Sequence, residues 1–487
     1  MITTSKTRST VISLFAFSFF FLMIFFRGRF EGYEKETFFA ARALLFGGNI
    51  DARIGAIGVF LSIPFVLLYE AANRLGFETI RDFMGPISVV FYSALIPVVF
   101  YVLNDLLFEN RRIAIIQSIL LLTGTMIFPY SFIGMEHEVT LLLIVSYCFL
   151  VYYHKKSNAK FLILCGIALA GAVLIKSYSI LFALPIALYL VNSRRIIKDK
   201  KAITLCALTL CVGIGAHFLW NYAIFGNFLR GRYNLSWEFQ YDSIVAGLHG
   251  FLFSAGKSIF LFNPVLVLAI PGILTFWKKE RALCSSAIAG IFIFILFQAP
   301  FRFWTDEIWG PRKLLLIVPL ALIPAGYVWR EIPKMRLWIK IANAGIILAS
   351  IFVQILGSLY STGKYLFYLR EIKLDALPLM QYMPSLSQVN VHWFFLKAYL
   401  YHLMGFTLPV FTYKIESWMR ALFTNGRDVV LIGGEITPKE IFYTPDLWYL
   451  SKQIPYMWVS VEYKILYLVI IFIGIAISGK TLYERVR

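Results

Sequence analysis

Three glutamates, Glu31, Glu34 and Glu36, stand close together in "FEGYEKETFFAARALL", directly after the first apolar run of the chain, Val11 to Phe26. From Glu34 onward Phe38, Ala41 and Leu45 recur at helical spacing, and Gly32 lets the chain turn into that helix. A helix opening there puts Glu34 in its first turn, where the helix dipole favours the anionic carboxylate. A carboxylate held ionised above an apolar cavity can accept a hydroxyl proton in a transition state. The same pattern also describes an acidic cap on a peripheral helix, and Glu31 and Glu36 remain alternative acids.

A second constellation lies in the turn "FPYSFIGMEHEV", where Glu136, His137 and Glu138 are consecutive. Ionisable groups at a membrane boundary tend to be paired or functional. Two carboxylates around an imidazole could hold a divalent metal, but three neighbours cannot converge from one helix face. Orienting an acceptor, or pairing with an outer arginine, is the preferred role, and no metal or other cofactor is indicated. Lys176, in "VLIKSYSI", reads as a snorkelling lysine or as a contact to a lipid phosphate. In "FLFSAGKSIFLFNP", Gly256-Lys257 place backbone N–H groups and an amine at the start of a span, a pairing suited to phosphate. In "WTDEIWGPRK", Gly310 and Pro311 shape the entry to another span and Arg312 offers a fixed-charge fork. Trp304 and Trp309 read as interfacial aromatics or as a sugar-stacking surface.

These residues sit in a very apolar chain. Of 487 residues 59% are hydrophobic and 15% charged, against about 25% charged in soluble proteins. Apolar runs at 11–26, 84–104, 113–130, 139–153, 160–175, 178–192, 202–220, 258–277, 282–300, 314–329, 338–357 and 462–478 predict an all-α polytopic membrane protein of about twelve spans. The first run is bulky and lacks a small-residue cleavage site, so it reads as a retained span. The net charge of +19 is carried by basic clusters at span ends, among them Lys155-Lys156, Arg194-Arg195 and Lys278-Lys279. Positive-inside orientation accounts for them, and no nucleic-acid partner is implied. The short run at 54–69 is ambiguous. Counting it as a crossing sends every later basic cluster outside, so it is expected to lie in the interface or to re-enter from the outer side. Arg27, Arg29, Arg42 and Arg53 then remain outside against the rule, as snorkelling or functional charges. The five cysteines, at 148, 165, 206, 211 and 284, have no metal or redox spacing and read as fillers. Inner loops are short and no G-x-x-x-x-G-K-[ST] occurs, so chemistry is expected on the outer face with a lipid-carried donor.

Four stretches carry a resemblance. They are "YEKETFFAARALLFGG", "PYSFIGMEHE", "FGNFLRGRYNLSWEFQYDSIVAGLHGFLFSAGKSIFLFNP" and "WTDEIWGPRKLLLIVPL". In this order they resemble the motifs of the type C integral-membrane glycosyltransferases, in the branch related to the dolichyl-phosphate-mannose protein mannosyltransferases. The resemblance implies a membrane core over 1–357 including an outer loop at 27–83 with juxtamembrane helices. It implies an outer region at 358–461, and a last helix with a cytoplasmic tail at 462–487. It implies transfer of a sugar from a polyprenyl-phosphate donor to a glycan, lipid or protein acceptor, by a multi-pass enzyme of the cell membrane working among membrane lipids on the outer face. By position, Glu34 matches the catalytic acid, Glu136 or Glu138 the second-loop acid, and Lys257 and Arg312 the basic positions near the lipid phosphate. A transporter or flippase of a lipid-linked or anionic substrate is the rival reading.

Overall fold

The computed structural model describes residues 5–28, 34–48, 56–133, 136–193, 199–228, 244–301, 308–371, 381–409, 411–413, 434–436, 438–447, 449 and 461–486. Long apolar runs become helices because only a backbone that satisfies its own N–H and C=O groups is stable in hydrocarbon. The order is α1 (Ser5–Ile24), α2 (Glu34–Phe46), α3 (Ala56–Arg74), α4 (Glu78–Phe108), α5 (Arg111–Thr123), α6 (Ile127–Ile133), α7 (His137–Lys156), α8 (Ala159–Ile175), α9 (Ala183–Asn192) and α10 (Lys200–Phe225). It continues with α11 (Ile244–Phe253), α12 (Ile259–Phe262), α13 (Ala269–Lys279), α14 (Arg281–Gln298), α15 (Val318–Leu322), α16 (Ala325–Glu331) and α17 (Leu337–Leu359). The last elements are α18 (Thr362–Glu371), α19 (Gln388–Leu403), the antiparallel pair β1 (Phe411–Tyr413) and β2 (Gly434–Ile436), α20 (Glu440–Tyr443) and α21 (Val461–Val486).

Among the described residues nine helices are long and apolar enough to cross a membrane, or ten when the bent pair α5–α6 counts as one. The molecule is thus an all-α polytopic membrane protein, apart from two three-residue strands. The apolar runs at 160–175, 178–192 and 258–277 are also helical, as shorter or broken pieces.

Contacts sort the helix ends into two groups. At one end His154 and Lys155 pair with Glu280 at 2.9 and 2.7 Å. Arg330 there donates to the Phe108 carbonyl at 3.0 Å, and Tyr153 bonds Asp199. Arg111 reaches Thr7 at 3.4 Å, which brings the start of α1 to the same basic end. The opposite end gathers Phe26 against Phe83, with ring centroids 5.3 Å apart, and Tyr467 on the Met23 carbonyl at 2.6 Å. It also gathers Glu136, Lys176, Lys257 and Arg312.

The contact of Phe26 with Phe83 bears on α2 and α3. The chain leaves α1 and enters α4 at one end, so the two helices between make no net crossing. α3 runs antiparallel along the first half of α4: Tyr92 donates to the Leu61 carbonyl at 2.6 Å, and Phe65 meets Phe91 at 5.6 Å. α2 lies on α3 through Phe38 and Tyr69, 5.5 Å apart, and through the Arg42–Glu70 ion pair at 2.5 Å.

Among the described residues spans are broken at α5–α6 and after α12, and each break frees backbone groups that must find partners. α5 and α6 meet at a 50° bend after Gly124. The Asn263 amide oxygen accepts the Met126 N–H at 2.8 Å across that break. Ser350 donates to the Gly124 carbonyl at 2.6 Å and accepts the Val265 N–H at 3.0 Å. Gln354 donates to the Phe262 carbonyl at 2.5 Å. Asn263, Ser350 and Gln354 are all fully buried, so these side chains are the stitches of the bundle.

Beyond α17 a second apolar cluster gathers Tyr365, Tyr368, Leu386, Phe395 and Phe442. It is tied to the bundle by buried Arg27, which donates to the carbonyls of Gly357, Ser358 and Tyr360 at 3.0, 3.0 and 2.9 Å. The last turn of a helix leaves carbonyls without intrahelical donors, and a cation there also meets the favourable end of the dipole. Asp446 adds a carboxylate that accepts the Ser361 N–H at 2.7 Å and pairs with Lys364 at 3.1 Å.

Candidate functional site

Glu136 is tightly constrained. It precedes α7 with φ +69°, in the left-handed region, and its side chain makes no cap to the helix. Among the described residues the other non-glycine residues with positive φ, Glu109 and Ser157, are ordinary left-handed helix ends. A glutamate held in that region costs about 1–2 kcal/mol, and such strain tends to persist where surrounding contacts and function require it. Here the contacts are Tyr178, which donates to Oε2 at 2.7 Å, and Lys176, whose Nζ lies 3.6 Å from Oε1. Burial by itself would raise the Glu136 carboxyl. The Lys176 and Arg312 charges, the Tyr178 hydrogen bond and Lys313 overcome it and hold the group below the usual carboxylate range.

Lys176 and Tyr178 arrive from the break between α8 and the 3-10 turn Ser177–Phe182. Arg312 opens another 3-10 turn, Arg312–Ile317, and is 7% exposed. Lys176, Arg312 and Lys313 therefore all act on one buried carboxylate, and lysine and arginine are the side chains that bind phosphate. His137 is fully buried in the first turn of α7, and Glu138 beside it is half-buried. Tyr92 on α4 lies within electrostatic reach of Glu138, which brings the first half of α4 to the level of the site.

Lys257 is fully buried beneath the turn that leads to Arg312. Its Nζ donates to the carbonyls of Ile308 and Gly310 at 2.6 and 2.7 Å. Trp309 is 1% exposed, so the expectation of an interfacial or sugar-stacking ring is corrected. The indole is a core side chain, stacked on His392 at 4.9 Å and edge-on to Phe262 at 5.0 Å. The sequence placed it beside polar residues, but Tyr130 anchors its carbonyl at 2.6 Å and draws the residue inward. Trp304 and Glu31 lie outside the described residues, as does the side chain of Glu34. The backbone of Glu34 begins α2, and Thr37 in the next turn packs on Gly58. Ile57 beside it packs against Gly171 of α8, one turn before Lys176. The start of α2 thus belongs to the same end of the bundle as Glu136.

Sequence reasoning missed Tyr178, and it marked Arg27 only as a snorkelling or functional charge. A tyrosine in an apolar run looks like core. Gln388, in "YMPSLSQVNVHW", accepts the Gly310 N–H at 2.8 Å.

Residues 76–220 match the family model of dolichyl-phosphate-mannose-protein mannosyltransferase. No curated protein matches the chain. The matched stretch runs from the start of α4 to the later turns of α10 and carries Glu136, His137, Glu138, Lys176 and Tyr178; Lys257 and Arg312 follow it. That match makes residues 76–220, within a polytopic helical chain, similar to the membrane mannosyltransferases of this family.

Proposed function

We propose that the protein is a glycosyltransferase that moves a sugar from a polyprenyl-phosphate carrier to an acceptor hydroxyl on the outer face of the membrane, with Glu34 as general base. The observation that carries this reading is the gathering of Lys176, Arg312 and Lys313 around buried Glu136. The orientation follows from charge. The end holding His154, Lys155 and Arg330 is the cytoplasmic one by the positive-inside rule, so the Glu136 end faces outward.

In the proposed step the acceptor oxygen attacks the anomeric carbon and its proton passes to the Glu34 carboxylate. The bond from that carbon to the phosphate oxygen breaks with inversion, and the electron pair stays on the phosphate. Arg312 and Lys176 stabilise the growing charge, and Lys257 adds its charge from beneath the turn. Glu136 and Tyr178 hold Lys176 in place, and Glu138 and His137 line the acceptor side. The acceptor is a glycan, lipid or protein hydroxyl, and the carrier tail lies between helices in the bilayer.

The breaks in α5–α6 and after α12 are the feature that a transporter reading shares, since transporters build substrate sites from discontinuous helices. Here Asn263, Ser350 and Gln354 take up groups freed at those breaks.

The test is an assay of purified protein with a panel of polyprenyl-phosphate hexoses and pentoses, read by product mass. Glu34→Gln is expected to lower turnover by about 10²–10⁴ while donor binding persists. Full turnover in that variant would remove Glu34 as the base. A protein that carries the lipid across a bilayer without forming product would favour the transporter.

A further inference from the structure

Arg312 depends for its place on the turn before it, and that turn is held from three distant parts of the chain. Lys257 takes the carbonyls of Ile308 and Gly310, Tyr130 takes that of Trp309, and Gln388 accepts the N–H of Gly310. The turn has little slack. Gly310 has φ +56°, and a Cβ there would stand 2.7 Å from the Phe262 ring. Two of the anchors come from the helical bundle. The third comes from α19, whose first residue is Gln388, 4% exposed.

One helical turn later on the same face is His392, stacked on Trp309. Its Nδ1 lies 3.1 Å from the Leu356 carbonyl and carries the proton donated to it. Burial is the main reason that its pKa is pushed down to about 3, with the Arg27 charge adding to the effect. A flat, neutral ring therefore backs the turn and adds no charge near Arg312. The segment before α19 also grips the turn that carries Lys257. The Gly256 N–H donates to the Gln381 carbonyl at 2.9 Å, and Tyr382 stacks on His249 at 5.8 Å.

We infer that Gln388 and His392 are positioning residues for Arg312, so that the segment after α17 sets the geometry of the cation that meets the donor phosphate. This rests on the proposed role of Arg312.

The experiment is a double-mutant cycle on the full chain in detergent. It uses whichever polyprenyl-phosphate hexose or pentose the wild type turns over. Gln388→Leu keeps size and removes the acceptor. It is expected to lower kcat roughly ten- to hundredfold, the cost of a misplacement of about 1 Å, with the donor KM within about threefold. In an Arg312→Ala background the same substitution is expected to add no more than about twofold. Gln388→Glu, which keeps an oxygen acceptor, is expected to restore most of kcat. Should Gln388→Leu not fold, Gln388→Ala, which leaves room for water beside Gly310, goes through the same cycle.

Losses that multiply in the double variant, or a Gln388→Leu protein with wild-type kcat, would overturn the positioning role and leave the glycosyltransferase reading intact. Wild-type turnover in Arg312→Ala alone would strike the reading of the phosphate site itself.

Discussion

Glu136 shows how little a residue's immediate neighbours reveal of its task. In the sequence it stands beside His137 and Glu138, yet its partners are Lys176 and Tyr178, some forty residues on. Its carboxyl is held below the usual range, and this fixes the sign of a pH effect. A folded-state pKa lowered below the unfolded value of about 4.3 gives stability that is fully present above that value. The contribution is lost as pH falls through the folded pKa. Thermal unfolding followed from pH 7 to acid should therefore show Glu136→Gln less stable than wild type at neutral pH, with the gap closing below about pH 4. A constant gap across that range would mean that Glu136 acts through packing alone. Glu34 was legible as the start of a helix, and α2 begins at that residue. Its chemistry rests on the resemblance, because one acid in a helix's first turn has the same local pattern whether it caps or catalyses.

At the scale of elements, apolar periodicity located the helices well and their breaks poorly. The run 113–130 reads as one span, but Gly124 ends α5 and the chain bends by 50° into α6. What makes that bend stable is Asn263 and Ser350, whose value as hydrogen-bond partners appears only when the helices are side by side. Arg27 is a similar case. Its position against the orientation rule marked it, but as a snorkelling or functional charge. It caps α17 through three carbonyls while 1% exposed. Arg27→Ala should destabilise the protein by about 1–3 kcal/mol, the cost of leaving buried carbonyls unmet, seen as a lower melting temperature in detergent. Arg27→Lys should recover only part of this, because its ammonium ends one bond short of the Nη2 that makes all three contacts. An unchanged melting temperature in Arg27→Ala would mean that water replaces the guanidinium.

For the whole molecule, the two ends of the bundle can be tested by labelling. Four native cysteines are buried and Cys211 is exposed, so a cysteine-free background is the starting point. In intact cells, Asn73→Cys at the end of α3 and Lys397→Cys on α19 should both react with an impermeant maleimide. Asn158→Cys, at the basic end beside Lys155, should react only after permeabilisation. Labelling of Asn73 and Lys397 from opposite sides would make α3 a true crossing and reverse the charge argument.

The sequence by itself determined that the chain is a bundle of membrane helices. Hydrocarbon leaves a backbone few alternatives, so length and apolarity are enough to predict a span. It also marked the strongly charged candidates, since a charge in an apolar run is conspicuous. Only the tertiary structure decided which of them meet. Lys257 lies under a turn, Trp309 joined the core, and Gln388 and Tyr178 emerged beside the cations. These contacts join residues distant in sequence, and local spacing, which governs periodicity and capping, carries no record of them.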